Sequence, residues 1–192
     1  PATVLTGTYT VGAGDTSADL DSTAIALGGG GTLRDAANVD ADLTLPATTI
    51  ATGSAIIIDT TAATITSITS STPDGTYTTG ANVNVTVTMS EAVTLAVGTL
   101  DVTLDTGDVV SVTAGAYPTT VLTGTYTVGA GDTSADLDST AIALGGGGTL
   151  RDAANVDADL TLPATTIATG SAIIIDTTAA TITSITSSTP DG

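Results

Sequence analysis

Carboxylates are nearly the only side chains of this sequence with chemistry to offer. Its 192 residues hold 20 acidic groups, 19 Asp and Glu91, against two Arg, with no Lys, His or Cys. The acids are clustered. Asp132-Thr-Ser-Ala-Asp136-Leu-Asp138 places three carboxylates in one short stretch after a Gly-rich turn, and Asp15, Asp19 and Asp21 repeat the pattern earlier in the chain. Asp105 and Asp108 bracket a second turn, and Asp152, Asn155, Asp157 and Asp159 form a third cluster. Calcium takes roughly 6–8 hard oxygen ligands, often mixing carboxylates with backbone carbonyls, and a Gly-flanked acidic loop supplies both. Calcium is therefore the expected cofactor. The same residue types also favour turns, because Asp and Asn side chains hydrogen-bond nearby backbone. Neither an EF-hand ligand spacing nor a glycine–aspartate nonapeptide is present.

The net charge of -18 favours solubility and makes cations the natural partners. It excludes nucleic acid, since nothing neutralises phosphates. Without His, Cys or Lys, most general bases and nucleophiles are missing, and no enzyme is expected. Gly28–Gly31 and Gly145–Gly148 lack the Lys and helix start of a phosphate loop and read as turns. Arg34 and Arg151 each adjoin an acid, Asp35 and Asp152, and a local ion pair is expected at both. Asn84-Val85-Thr86 matches a glycosylation sequon but falls within a strand pattern. No apolar run reaches the roughly 18–20 residues that span a membrane.

Pro1–Gly75 recurs as Pro118–Gly192 with one mismatch, Ala2 against Thr119, an offset of 118 − 1 = 117 residues. That period is too long for a solenoid turn of roughly 20–45 residues and fits a small domain of roughly 100–150. The linker candidate is Ile56–Ala63, recurring as Ile173–Ala180. Cutting there leaves the C-terminal part of one module (1–59), a complete module (60–176) and the start of the next (177–192). Either the sequence is a window on a longer array, or neighbouring chains complete the partial modules.

The elements that must position the acids follow from periodicity. Asn82–Met89 alternates strictly, with Val83, Val85, Val87 and Met89 on one face, the two-residue period of a half-buried strand. Leu100, Val102 and Leu104 share a face, as do Val110 with Val112 and Leu122 with Tyr126 and Val128. Thr on the opposite faces is favourable because it is β-branched. Strands are expected near 64–69, 82–89, 99–104, 109–114, 120–128, 138–144 and 158–162 or 171–176. Turn signals separate them. No segment has helical periodicity, and 152–158 allows one helical turn at most. The expected fold is all-β: tandem Greek-key β-sandwiches. If strands alternate in direction, Asp74, Asp105–Asp108 and Asp132–Asp138 lie at the pole where Asp176 exits. Glu91 and the Asp152–Asp159 loop lie at the opposite pole, and Asp59 enters from the preceding module. The candidate metal ligands are thus Asp15, Asp19, Asp21, Asp59, Asp74, Glu91, Asp105, Asp108, Asp132, Asp136, Asp138, Asp152 and Asp176.

Ile58-Asp-Thr-Thr-Ala62, Ile68–Tyr77 with its Pro73-Asp-Gly75, Val87-Thr-Met-Ser-Glu-Ala-Val93, Thr125–Asp132 and Asp152-Ala-Ala-Asn155 together resemble bacterial immunoglobulin-like modules. The family's Pro after Asp-Thr-Thr-Ala is replaced by Ala63 and Ala180. The resemblance implies tandem, cadherin-like modules of giant secreted adhesins and surface filaments, with calcium at module junctions. The expected function is a structural spacer or stalk at the cell surface, its partners being neighbouring modules or other copies in a filament. The alternative is a module that binds carbohydrate or a host protein through its loops.

Overall fold

The computed structural model describes residues 3–113 and 117–188. The chain divides into two compact units, Pro1–Thr61 and Ala62–Gly192. The last residue of the strand expected over 109–114, and residues 189–192 of the expected third module, lie outside the described residues.

The first unit has one regular element among its described residues, the single helical turn α1 (Ile50–Gly53). Isolated bridges join Ser17 to Ile58 and Arg34 to Asp40. None of its described side chains is buried.

The second unit is all-β and mostly antiparallel. Its strands are β1 (Ile65–Thr69), β2 (Gly75–Tyr77), β3 (Asn82–Leu95), β4 (Thr99–Leu104), β5 (Val109–Thr113), β6 (Thr119–Thr127), β7 (Thr133–Ser134), β8 (Ser139–Gly145), β9 (Leu150–Arg151) and β10 (Ile173–Asp176). The turn α2 (Ile167–Gly170) precedes β10. β3 sits between β1 and β6, and β9 pairs with its far end. A second sheet runs β5-β4-β8, and a third runs β2-β10-β7, in which β2 and β10 are parallel.

Alternation decides which side chains are buried. Val83, Val85, Val87 and Met89 of β3, Leu100, Val102 and Leu104 of β4, and Leu122 and Tyr126 of β6 all enter one core. With no Phe or Trp available, Val, Leu and Ile fill it, each contributing roughly 1.5–3 kcal/mol on full burial. Gly124 of β6 lets β5 approach, since a Cβ there would lie 2.6 Å from Val110 Cγ1. Gly98, at φ +70°, lies so close to the Gly145 carbonyl and the Gly148 backbone that no side chain fits between them. The Gly145–Gly148 run is thus a close-packed turn.

Several expectations change. β3 runs six residues beyond Met89, because Val93 and Leu95 keep its inward parity after the pairing with β6 shifts between Thr88 and Val93. Of the two places offered for the last strand, 171–176 holds it, as β10, whereas 158–162 has a single bridge, from Asp159 to Thr64. The helical turns fall at 50–53 and 167–170 rather than 152–158, where Asn155 adopts φ +67°, a left-handed conformation that no α-helix contains.

Candidate functional site

Within the second unit, acids gather at both ends of the strands. At one end Gly131, at φ +99°, turns the chain so that Asp132 faces back onto β6. Its Oδ2 accepts hydrogen bonds from the Tyr126 hydroxyl at 2.6 Å and from the Gly129 N–H at 2.5 Å. These two donors, Tyr126 first, hold the Asp132 carboxyl below its ordinary 3.8. Burial, and then the bond to Asp132, push the Tyr126 hydroxyl up. Asp105 accepts from Ser134 Oγ at 2.6 Å and from the Asp138 N–H at 3.1 Å. Asp138 in turn accepts from the Ser139 and Ala168 N–H groups. Asp74 receives the Ala172 N–H at 2.8 Å, and Asp176, paired with Thr133 at the end of β10, receives the Thr178 N–H. Asp108 is half-buried beside Asp132, whereas Asp136 is exposed. Most carboxylates at this end therefore spend lone pairs on backbone N–H groups, which is turn chemistry.

The other end is built differently. Glu91 has the inward parity of β3 at the place where pairing with β6 is interrupted. A carboxylate oxygen of Glu91 and one of Asp152 lie within 4.8 Å of each other. Asp152 follows β9 and is 7% exposed. Its Oδ1 closes the 152–156 turn by accepting the Val156 N–H at 2.9 Å, while its Oδ2 is buried with no hydrogen-bond partner. A buried carboxylate oxygen without a donor is costly, and two adjacent carboxylates repel. Both costs are relieved by a cation.

Asp152 is committed to its turn, so the arginine finds another partner. Arg151 Nε donates to Asp157 at 2.5 Å, and Arg34 Nε to Asp40 at 2.6 Å. The ion pairs expected with the adjoining Asp152 and Asp35 are replaced by pairs six residues on. The two-residue strand period brings Arg151 opposite Asp157 across the turn.

In the first unit Asp15 accepts from the Tyr9 hydroxyl and the Gly12 N–H, as Asp132 does from Tyr126 and Gly129. Asp19 accepts the Ile56 N–H, and Asp21 the Ser22 and Ala51 N–H groups. Asp59 receives the Thr61 N–H at 2.9 Å. Sequence reasoning passed over Asp101, whose Oδ1 is also buried without a donor in the middle of β4. Its signal was an acid inside the alternating run Leu100-Asp101-Val102. Asn84, the sequon residue, accepts bonds from Ser71 and Thr86 within the β3 surface.

A shallow, open depression lies between Thr133–Ala135 and Ile174–Asp176. No helix of the described residues is long and apolar enough to cross a membrane. Comparison with protein-family models, curated proteins and solved structures finds no match.

Proposed function

We propose that this chain is a structural spacer. In this reading immunoglobulin-like Greek-key sandwiches, 117 residues each, stand in series as the stalk of a secreted adhesin or surface filament. Divalent cations, calcium foremost, neutralise their acidic poles. The observation that carries the reading is the invariance of the loops. Every residue from Thr3 to Gly75 recurs unchanged from Thr120 to Gly192. A recognition module varies the loops that touch its ligands, whereas a spacer gains nothing by varying them. The open depression and the lack of His, Cys and Lys support a mechanical rather than a catalytic role.

For the cation, Glu91 and Asp152 fit best. They are close together, and Asp152 Oδ2 is buried without a donor. Thermal melts in calcium and in chelator test this. A ligand at a hundred times its Kd stabilises the folded state by about 2.7 kcal/mol, so calcium is expected to raise the melting temperature by several degrees. Asp152→Asn is expected to abolish that difference. Identical melts with and without chelator would remove calcium from the proposal. Specific binding of a glycan or protein by the loops would remove the spacer reading itself.

A further inference from the structure

The last strand of the second unit, β10, lies beside one of its first, β2. The two are parallel, with Gly75 opposite Ile173, Thr76 opposite Ile174 and Tyr77 opposite Ile175. Their contact begins ahead of both strands. There the Gly75 N–H donates to the Ala172 carbonyl at 3.0 Å, and the Ala172 N–H to Asp74 Oδ1 at 2.8 Å. On its other edge β10 pairs antiparallel with β7, Ile175 opposite Ser134 and Asp176 opposite Thr133. The Leu137 N–H reaches the Ile173 carbonyl on the same side, at 2.7 Å. Just past β10, Thr177 Oγ1 donates to the Asp132 carbonyl and accepts the Gly131 N–H. β10 is thus the middle strand of its sheet, and its Ile173 and Ile175 are buried.

A pull on the two ends of this unit draws β2 back toward its amino end and β10 forward toward its carboxyl end. Because the strands are parallel, the pull runs along both in opposite senses and slides one past the other. The bonds of a parallel ladder are evenly spaced along the strands, so sliding strains them all at once. A pull across the strands opens them one at a time. Asp74 and Ala172 are 98 residues apart in the chain, and β3 to β9 all lie between them. Load passed from β2 to β10 therefore bypasses those strands. β1, ahead of β2, joins the body through β3, so once it slips the load falls on β2. We propose that the β2–β10 ladder, with its Asp74–Ala172 bond, is a mechanical clamp. It resists tension along the chain and yields to tension across the strands. Its use rests on the spacer reading, since modules in series pass tension from end to end in this direction.

The absence of cysteine allows the direction of load to be chosen. In the full chain, Ser71→Cys with Thr178→Cys places one handle before β2 and one after β10, and loads the ladder in sliding. Thr78→Cys with Thr178→Cys puts both handles at the carboxyl ends of the two strands and peels them apart. All three positions are exposed. Forced rupture follows the rate of unfolding along the pulled direction rather than equilibrium stability. Single-molecule extension is expected to give a severalfold higher rupture force in the sliding geometry. That rupture is expected to be the first event and to release the residues between the handles together. Asp74→Ala is expected to lower the sliding force and leave peeling unchanged, because its bond lies at the far end from the peeling handles. Equal forces in the two geometries would overturn the proposal. So would a weak first event in sliding followed by a stronger one, which would assign the load to another ladder. A glycan or protein bound by the loops would remove the spacer reading without altering either force, so the two failures are separable.

Discussion

Residues 3–59 and 120–176 have the same sequence but different structures. Both contain the helical turn, as α1 and α2. Both hold an asparagine in the left-handed region, Asn38 at φ +64° and Asn155 at φ +67°. Both make the Arg–Asp pair six residues apart and the Tyr–Asp bond six residues apart. Only 120–176 forms strands β6 to β10 and buries Leu122, Tyr126, Leu137, Leu150, Ile167, Ile173 and Ile175. Interactions closed within a few residues repeat wherever the sequence repeats. Strands do not, because half of each ladder and most of each buried contact come from residues far away in sequence.

Paired substitutions put this contrast at risk. The largest effect is expected at the covered apolar positions. Leu122→Ala should cost the second unit about 2–5 kcal/mol through lost burial and a residual cavity, whereas Leu5→Ala should change stability by less than about 0.5 kcal/mol. Denaturant unfolding of the two variants measures both, and equal losses would mean that the first copy is covered after all.

Next come the glycines. A Cβ on Gly145 would meet the Asp101 carboxylate and Thr99 Oγ1, but one on Gly28 meets nothing within 4 Å. Gly145→Ala is expected to destabilise by about 1–3 kcal/mol, as overpacking does, and Gly28→Ala to be silent in the same unfolding experiment.

A smaller difference should separate the tyrosines. Tyr126→Phe removes the donor to Asp132 and should cost about 1 kcal/mol, while Tyr9→Phe should leave the melting curve unmoved. The smallest effect is one of pH. The folded Asp132 pKa lies below its ordinary value, so the stabilisation it gives is present above about pH 4 and lost as pH falls through the lower folded value. Asp15 is lowered in the same way by Tyr9 and Gly12, but no buried packing depends on it. Acid melts should thus show a loss for the second unit that Tyr126→Phe partly removes. A loss unaltered by that substitution would assign the acid sensitivity to other carboxylates.

The strand faces were the most legible part of the fold. Val83 to Met89, Leu100 to Leu104, Val110 with Val112, and Leu122 with Tyr126 and Val128 are all buried as their alternation requires. The continuation of β3 to Leu95 was hidden because Glu91 sits at an inward position and looks like the end of a strand. The parallel pairing of β2 with β10 and the short β7 carry no local signal, since their partners lie 98 and 41 residues away, as Gly75 opposite Ile173 and Ser134 opposite Ile175. For the candidate site, composition pointed to the acids but could not rank them. The turn-capping carboxylates around Asp132 and Asp138 look the same in sequence as Asp152. Only packing leaves an Asp152 oxygen buried and without a donor beside Glu91.

By itself the sequence determined the all-β class, the inward faces of the strands, the turns, and the presence of one covered half in two copies. These follow from side-chain period and from backbone preferences that act over a few residues. Which copy becomes a folded half, and which acids are brought together, was decided by tertiary structure alone. A strand edge and a buried carboxylate are each defined by what lies across from them, and that partner is remote in the chain.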